Sequence, residues 1–225
     1  MALQFVLPAV LTRLHQRHPQ LRLDLIDAGS NRDLVQLGTD LLLQFGWPPP
    51  QEAMLRTLAE SRWLVVASPA YWVRHGVPSH PSELAGHPCI LFRTPYGEVI
   101  RRWIFERGSE RVEVEVDGWL TGDHRAALDA PVFEGQMVAR LNDLTAREGL
   151  QAGTLQPVLL DWVGVSSPPL NLLIRKAVSR QPRVRAMVEF LAEAGAELAR
   201  QRLPAGLPPV RPGQRPDWFK RRVGS

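Results

Sequence analysis

Apolar residues recur along this chain in two periods, one near 3.6 residues and one of two residues, and the two alternate. Leu7, Val10, Leu11 and Leu14 keep helical spacing after Pro8 and before Pro19, which predicts an opening helix. Leu21, Leu23 and Leu25 then alternate with Arg22 and Asp24, the pattern of a strand. Asn31 is placed to cap a short helix through Leu37 that Gly38 stops. The unbroken run Leu41-Leu42-Leu43 predicts a strand covered on both faces, and Trp47-Pro48-Pro49-Pro50 predicts a stiff loop. Strands are expected at 54–60, 62–67, 89–93, 103–105, 112–116, 137–141, 155–160 and 170–174. Helices are expected at 69–75, from Ser79 to Leu84, at 126–135 with Pro131 as a potential kink, at 142–150, and from Pro182 onward. In that last helix Val184, Met187, Val188 and Leu191 form one apolar stripe.

Strands that alternate with helices predict an α/β architecture with mostly parallel sheets. No internal repeat at a fixed period is visible. The order of elements alone does not reveal how many lobes the chain forms. Its 225 residues suffice for one large domain or two small ones.

Composition narrows the function classes. No run of eighteen apolar residues exists, so no membrane span is expected. The first residues lack a basic region before an apolar stretch, so no export signal is read and a cytoplasmic location is expected. Cys89 is the sole cysteine, flanked by Ile90, Leu91 and Phe92, and reads as a buried strand thiol. The net charge of +4 is concentrated at the end: residues 202–225 hold six basic residues against Asp217, which leaves the body near neutral and without a nucleic-acid footprint. That tail, with its prolines, is expected to be disordered. There is no Gly-x-Ser-x-Gly elbow, no His-Glu-x-x-His and no phosphate-cradling loop. Ser166-Ser167 beside prolines reads as a linker. No catalytic residue, metal or cofactor is assigned.

Two segments carry a resemblance. Thr39-Asp40-Leu41-Leu42-Leu43-Gln44-Phe45-Gly46 and Ala67-Ser68-Pro69-Ala70-Tyr71 resemble the effector-binding part of LysR-type transcriptional regulators. His18-Pro19, His75-Gly76-Val77-Pro78, Leu84-Ala85-Gly86-His87-Pro88 and Leu150-Gln151-Ala152-Gly153 fit the same family in order and spacing. The resemblance runs from about Phe5 to about Glu193. It implies two Rossmann-like lobes of periplasmic-binding-protein type joined by two crossover strands, with a small effector in the cleft. Lobe I would take residues 1–67 and 168–200, lobe II residues 68–167, and the tail residues 201–225. It also implies a homodimer or tetramer through lobe I, and DNA contact only through a helix-turn-helix absent from this chain. Three departures stand out. The family's first strand is missing ahead of the opening helix. Met137 replaces the second glycine of a Gly-x-Gly stretch that here reads Gly135-Gln136-Met137. Gln44 stands where arginine is common.

Each candidate ligand residue has a plainer alternative. Gln44, Phe45 and Gly46 end a strand that would face the cleft, although Gly46 also serves simply to stop the strand. Ser68 offers a hydroxyl, and it also caps the helix after it. Thr94 and Tyr96 lie on a turn after a lobe II strand, or on an ordinary surface hairpin. Gly122, Asp123 and His124 precede a helix whose first amides suit an anion, but Asp123 as N-cap would repel one. The paired charges Asp143, Glu148, Arg140 and Arg147 read as surface pairs. Rival readings are a solute-binding protein of a transporter, which needs an export signal, and a truncated fragment.

Overall fold

A computed structural model describes residues 8–26, 33–46, 52–94, 97–165, 167–200 and 206–210. The expectations at Leu7, Asn31, the Trp47 loop, Tyr96, Ser166 and residues 211–225 lie outside the described residues. From the N-terminus the chain runs α1 (Pro8–Arg17), β1 (Leu41–Phe45), β2 (Ala53–Ala59), β3 (Trp63–Ala67) and α2 (Pro69–His75). It continues through β4 (Leu91–Arg93), β5 (Val99–Ile100), β6 (Arg102–Arg107), β7 (Glu110–Glu115), β8 (Thr121–Gly122) and α3 (Arg125–Phe133). Then follow β9 (Ala139–Asn142), α4 (Asp143–Gln151), β10 (Gln156–Val158), β11 (Val163–Gly164), β12 (Leu170–Arg175) and α5 (Pro182–Arg200).

The chain divides into two compact units, Met1–Glu60 with Pro168–Gln201 and Pro212–Ser225, and Ser61–Ser167 with Arg202–Arg211. The first boundary therefore falls at Glu60 and Ser61, not near Ala67 as the sequence suggested. The reason is β3: it pairs with β9 and β10 of the second unit and buries its side chains there.

In the first unit, β12 is the middle strand of an antiparallel sheet of order β1-β12-β2. Its Leu170, Leu172, Leu173 and Ile174 are all buried. Helix α5 lays Val184, Met187, Phe190, Leu191 and Ala194 inward at helical spacing, and each of the four larger side chains contributes roughly 1.5–3 kcal/mol of burial. Helix α1 buries Val10 and Leu14 and pairs with α5 at its surface, Arg13 to Glu197 at 2.7 Å and Arg17 to Glu193. Two expected elements did not form. Residues 21–26 join no ladder among the described residues, and Leu23, Leu25 and Ile26 stay exposed. Alternation specifies a strand only where a neighbouring edge accepts its hydrogen bonds. Residues 34–38 make a single turn and not a longer helix: the Asp33 carboxylate caps its start, accepting the N–H groups of Val35 at 2.8 Å and Gln36 at 3.1 Å, and Gly38, at φ +64°, ends it after that one turn.

In the second unit, β3 lies between β9 and β10, antiparallel to both. Its two faces feed two cores. Leu64 and Val66, with Ala139 and Leu141, pack against Leu128 and Val132 of α3 and Ala146 and Leu150 of α4. Val65 and Ala67 pack with Tyr71, Trp72, Trp103, Phe105 and Trp162. β4 runs parallel to β8, and a parallel bridge joins Cys89 to Val138 just ahead of β9. The expectation of mostly parallel sheets fails: among the described ladders only β4 with β8 is parallel. Helix α3 carries Pro131 through its last turn without ending there, and Gly135, at φ +73°, follows it. The expected disordered tail is corrected in part, since Leu207 packs on the second unit's core and the Arg62 guanidinium donates to the Pro208 carbonyl.

Cys89 is fully buried, and burial pushes its thiol up to about 12. The departure at Met137 also has an answer in packing. Met137 is fully buried, and Gly118 opposite has no room for a side chain: a Cβ there would stand 2.1 Å from the Cys89 carbonyl oxygen and 2.9 Å from Met137 Cε. The absence of a side chain at Gly118 gives Met137 its space. Gly118→Ala is expected to destabilise the protein by about 1–3 kcal/mol through overpacking, while Gly86→Ala, with nothing within 4 Å of the added Cβ, changes little. Thermal melts of the two variants check this.

The motif that includes Tyr71 builds an aromatic cluster. Tyr71 Oη lies 2.9 Å from His87 Nδ1, His75 stacks on the Tyr71 ring at 4.5 Å, and Trp72 meets His87 edge-on at 5.7 Å. Burial pushes the Tyr71 hydroxyl up to about 12. Burial first, then the charge of His75, holds His87 below its ordinary 6.5. Because the folded state disfavours the imidazolium, the unfolded chain binds the extra proton first as pH falls. Stability from neutral His87 is thus complete above pH 6.5 and is lost as pH falls toward the depressed folded value. Chemical denaturation between pH 7.5 and 5 is expected to show this loss, and His87→Gln is expected to flatten it.

Candidate ligand site

The sequence candidates fall into three groups. Gln44, Phe45 and Gly46 belong to the first unit. Gln44 is fully buried opposite Asn171 in the β1–β12 register. Its Nε2 donates weakly to the Gly46 carbonyl at 3.4 Å, while its Oε1 is buried with no hydrogen-bond partner. Asn171 Nδ2 donates to the same carbonyl at 2.8 Å, and Thr57 Oγ1 donates to Asn171 Oδ1 at 2.9 Å. Gly46, at φ +84°, ends the strand and donates its N–H to the Pro169 carbonyl at 2.9 Å. Sequence reasoning missed Asn171 and Thr57. An asparagine inside the apolar run of β12 was the available signal, since a buried amide must be paired.

Thr94 and the segment Gly122-Asp123-His124 form the second group. β4 and β8 are parallel with Phe92 opposite Gly122, so Thr94 and His124 follow at the same carboxyl end of adjacent strands. Thr94 is buried, and its Oγ1 accepts the Glu98 N–H at 3.2 Å, closing the hairpin turn that carries it. Asp123 does not cap α3, as the sequence suggested. His124 occupies the N-cap, without a side-chain cap bond, and Asp123 is exposed beside it. The first turn of α3 holds no acidic residue, so its amides meet no carboxylate from their own helix.

Ser68 stands apart from that group. β3 runs antiparallel to β9, and the Cys89–Val138 bridge makes the start of β9 parallel to the β4 segment. The carboxyl end of β3 is therefore at the opposite end of the sheet from Thr94 and Gly122. There Ser68 Oγ caps α2, accepting the Tyr71 N–H at 3.2 Å, and Arg74 reaches across to the Gly135 carbonyl. Its hydroxyl works as a helix cap.

Around the carboxyl end of β9 the side chains are charged and aromatic. Arg62 donates its Nε to Asp143 Oδ2 at 2.8 Å and its backbone N–H to Oδ1 at 3.2 Å. Asn142 Oδ1 caps α4 by accepting the Thr145 N–H at 2.9 Å. The Arg140 guanidinium carbon lies 4.7 Å from the Trp63 ring centroid and 5.1 Å from that of Trp103. Asp143 is buried in its pair with Arg62, so it is no exposed surface charge. Among the described residues no cluster of three His, Cys, Asp or Glu is placed to hold a metal ion, and no helix is long and apolar enough to cross a membrane.

A family model described as the LysR substrate binding domain matches residues 1–196. The chain belongs to that family. This LysR substrate-binding domain is 30% identical over 184 residues to an HTH-type transcriptional regulator of Xanthomonas campestris, covering 81% of the chain and 53% of the relative. It is 26% identical over 188 residues to the HTH-type transcriptional regulator CrgA of Neisseria meningitidis, covering 84% of the chain and 62% of that protein. The domain thus spans between half and two thirds of these relatives' length. It matches the solved structure of CrgA with a TM-score of 0.75 at 26% identity, covering 87% of this chain and 65% of that one. Against the CrgA regulatory domain alone the TM-score is 0.74 at 25% identity, with 85% and 92% covered. The α/β fold is therefore that of LysR regulatory domains, of periplasmic-binding-protein type.

The chain leaves the first unit at Glu60–Ser61 and returns at Ser167–Pro168. At these two passages the Ser61 and Ser167 hydroxyls are 2.7 Å apart and both buried. Ser167, read from sequence as linker, is thus bonded to the other passage. A double-mutant cycle with Ser61→Ala and Ser167→Ala is expected to give a coupling of about 0.5–1.5 kcal/mol in chemical denaturation. Additive losses would show that the two passages are energetically independent.

Proposed function

We propose that this domain is the effector-sensing part of a LysR-type transcriptional regulator and that its effector is a small anionic metabolite. The observation that carries this reading is the convergence of Thr94, Gly122 and His124 at the carboxyl ends of two parallel strands, ahead of a helix whose first turn lacks acids. Such strand ends collect backbone N–H groups and favour anions. Membership of the family, and relatives that are transcriptional regulators, support the same reading.

Ligand and domain meet as binding partners, without chemistry on the ligand. The effector acts through a difference in its affinity for two states of the domain. In this reading the intact regulator is a cytoplasmic homodimer or tetramer that assembles through lobe I. It contacts DNA through a helix-turn-helix outside this chain.

A thermal-shift panel of small mono- and dicarboxylates, each beside its neutral amide, tests the proposal. At least one acid is expected to stabilise the domain by about 2.7 kcal/mol at a hundred times its Kd, and chromatography is expected to recover it unchanged. No stabilisation by any acid beyond that of sodium chloride would count against an anionic effector. Gln44→Leu removes the unpaired Oε1, so its own melting temperature is expected to hold or rise. A weakened acid response in that variant would place Gln44 at the ligand.

A further inference from the structure

We propose that Arg140 is the residue of the second unit that reads the ligand's charge, and that the group it takes is a carboxylate. This deepens the reading of the domain as an effector sensor and rests on it. Sequence alone made Arg140 one member of a surface charge pair. The structure gives it a different setting. Among the described residues no carboxylate lies within ion-pair distance of Arg140, and its guanidinium donates no hydrogen bond. Its contacts are with the rings of Trp63 and Trp103.

The position follows from the strand pattern. In β9 Ala139 and Leu141 face the core built with α3 and α4, so Arg140 faces the other one, beside Val65. Two steps along from the Cys89–Val138 bridge, parallel to β4, Arg140 moves toward the end of the sheet where Thr94 and Gly122 stand. It is half-buried, so part of its surface remains open.

Its chemistry is unbalanced as it stands. Burial pushes the guanidinium from 12.5 down to about 9, which still leaves it charged at neutral pH. A desolvated cation without an anion is costly. Ring faces offset part of that cost, but they engage the face of the guanidinium and leave its in-plane N–H donors free for an anion at the open side. Five donors in a flat fork match the two oxygens of a carboxylate.

The test uses this chain labelled with nitrogen-15. Sodium acetate, sodium succinate and sodium benzoate are titrated in turn while the arginine Nε–Hε resonances and tryptophan fluorescence are recorded, with sodium chloride as the ionic-strength control. The Arg140 resonance is the one lost in Arg140→Met. Should that variant fail to fold by circular dichroism, Arg140→Lys, which keeps the charge and loses the fork, identifies it. The expected result is a saturable shift of that resonance with at least one acid and a tenfold or greater loss of affinity in the variant. Unchanged affinity in the variant would overturn the assignment and leave the sensing function standing. If no acid moves the resonance beyond sodium chloride, the assignment falls as well, and stabilisation by the neutral members of the earlier panel then decides whether the domain senses anything.

Discussion

Strand β3 is covered on both faces, and the second unit is organised around that constraint. A strand that alternates Leu64 and Val66 into one core with Val65 and Ala67 into another admits only one register. A slip of one residue would exchange the two sets. β9 and β10 must then run antiparallel beside it, and the direction of β4 follows through the bridge at Cys89 and Val138. The places of Ser68, Thr94, Gly122 and Arg140 are consequences of those directions. None of them is set by its own local sequence.

Much of the fold was legible because strongly periodic segments need little context. The stripe of α5, the apolar run at Leu41–Phe45 and the helix after Ser68 appear at or near their expected bounds. Failures came where a neighbour decides. Leu21, Leu23 and Leu25 have a strand's alternation, yet no described edge receives them. Strand direction was misjudged for the same reason: counting helices between strands predicts parallel pairing, but β3 and β12 each return beside strands that run the opposite way.

The site was legible as a set of loops and less so as a set of roles. Gln44 and Thr94 were picked out as polar residues at strand ends, but burial was invisible in sequence, and both are buried. Ser68 looked equivalent to Thr94 until the strands were given directions. Asp123 and His124 differ by one position, and that difference exchanges a cap carboxylate for an imidazole. Arg140 looked like a partner for the acids of the helix that follows its strand, but alternate side chains of a strand face opposite ways, and Arg140 turns to Trp63 and Trp103.

The contact of residues 206–210 has a topological consequence. Helix α5 completes the first unit, yet the stretch beyond it packs on the second, with Leu207 in its core and Pro208 bonded to Arg62. The backbone therefore makes a third passage between the units after the two at Ser61 and Ser167. Trimming the protein at the end of α5 would strip Arg62 of one acceptor and uncover the part of the second unit's core that Leu207 shields, so the second unit depends on residues that follow the last helix of the first.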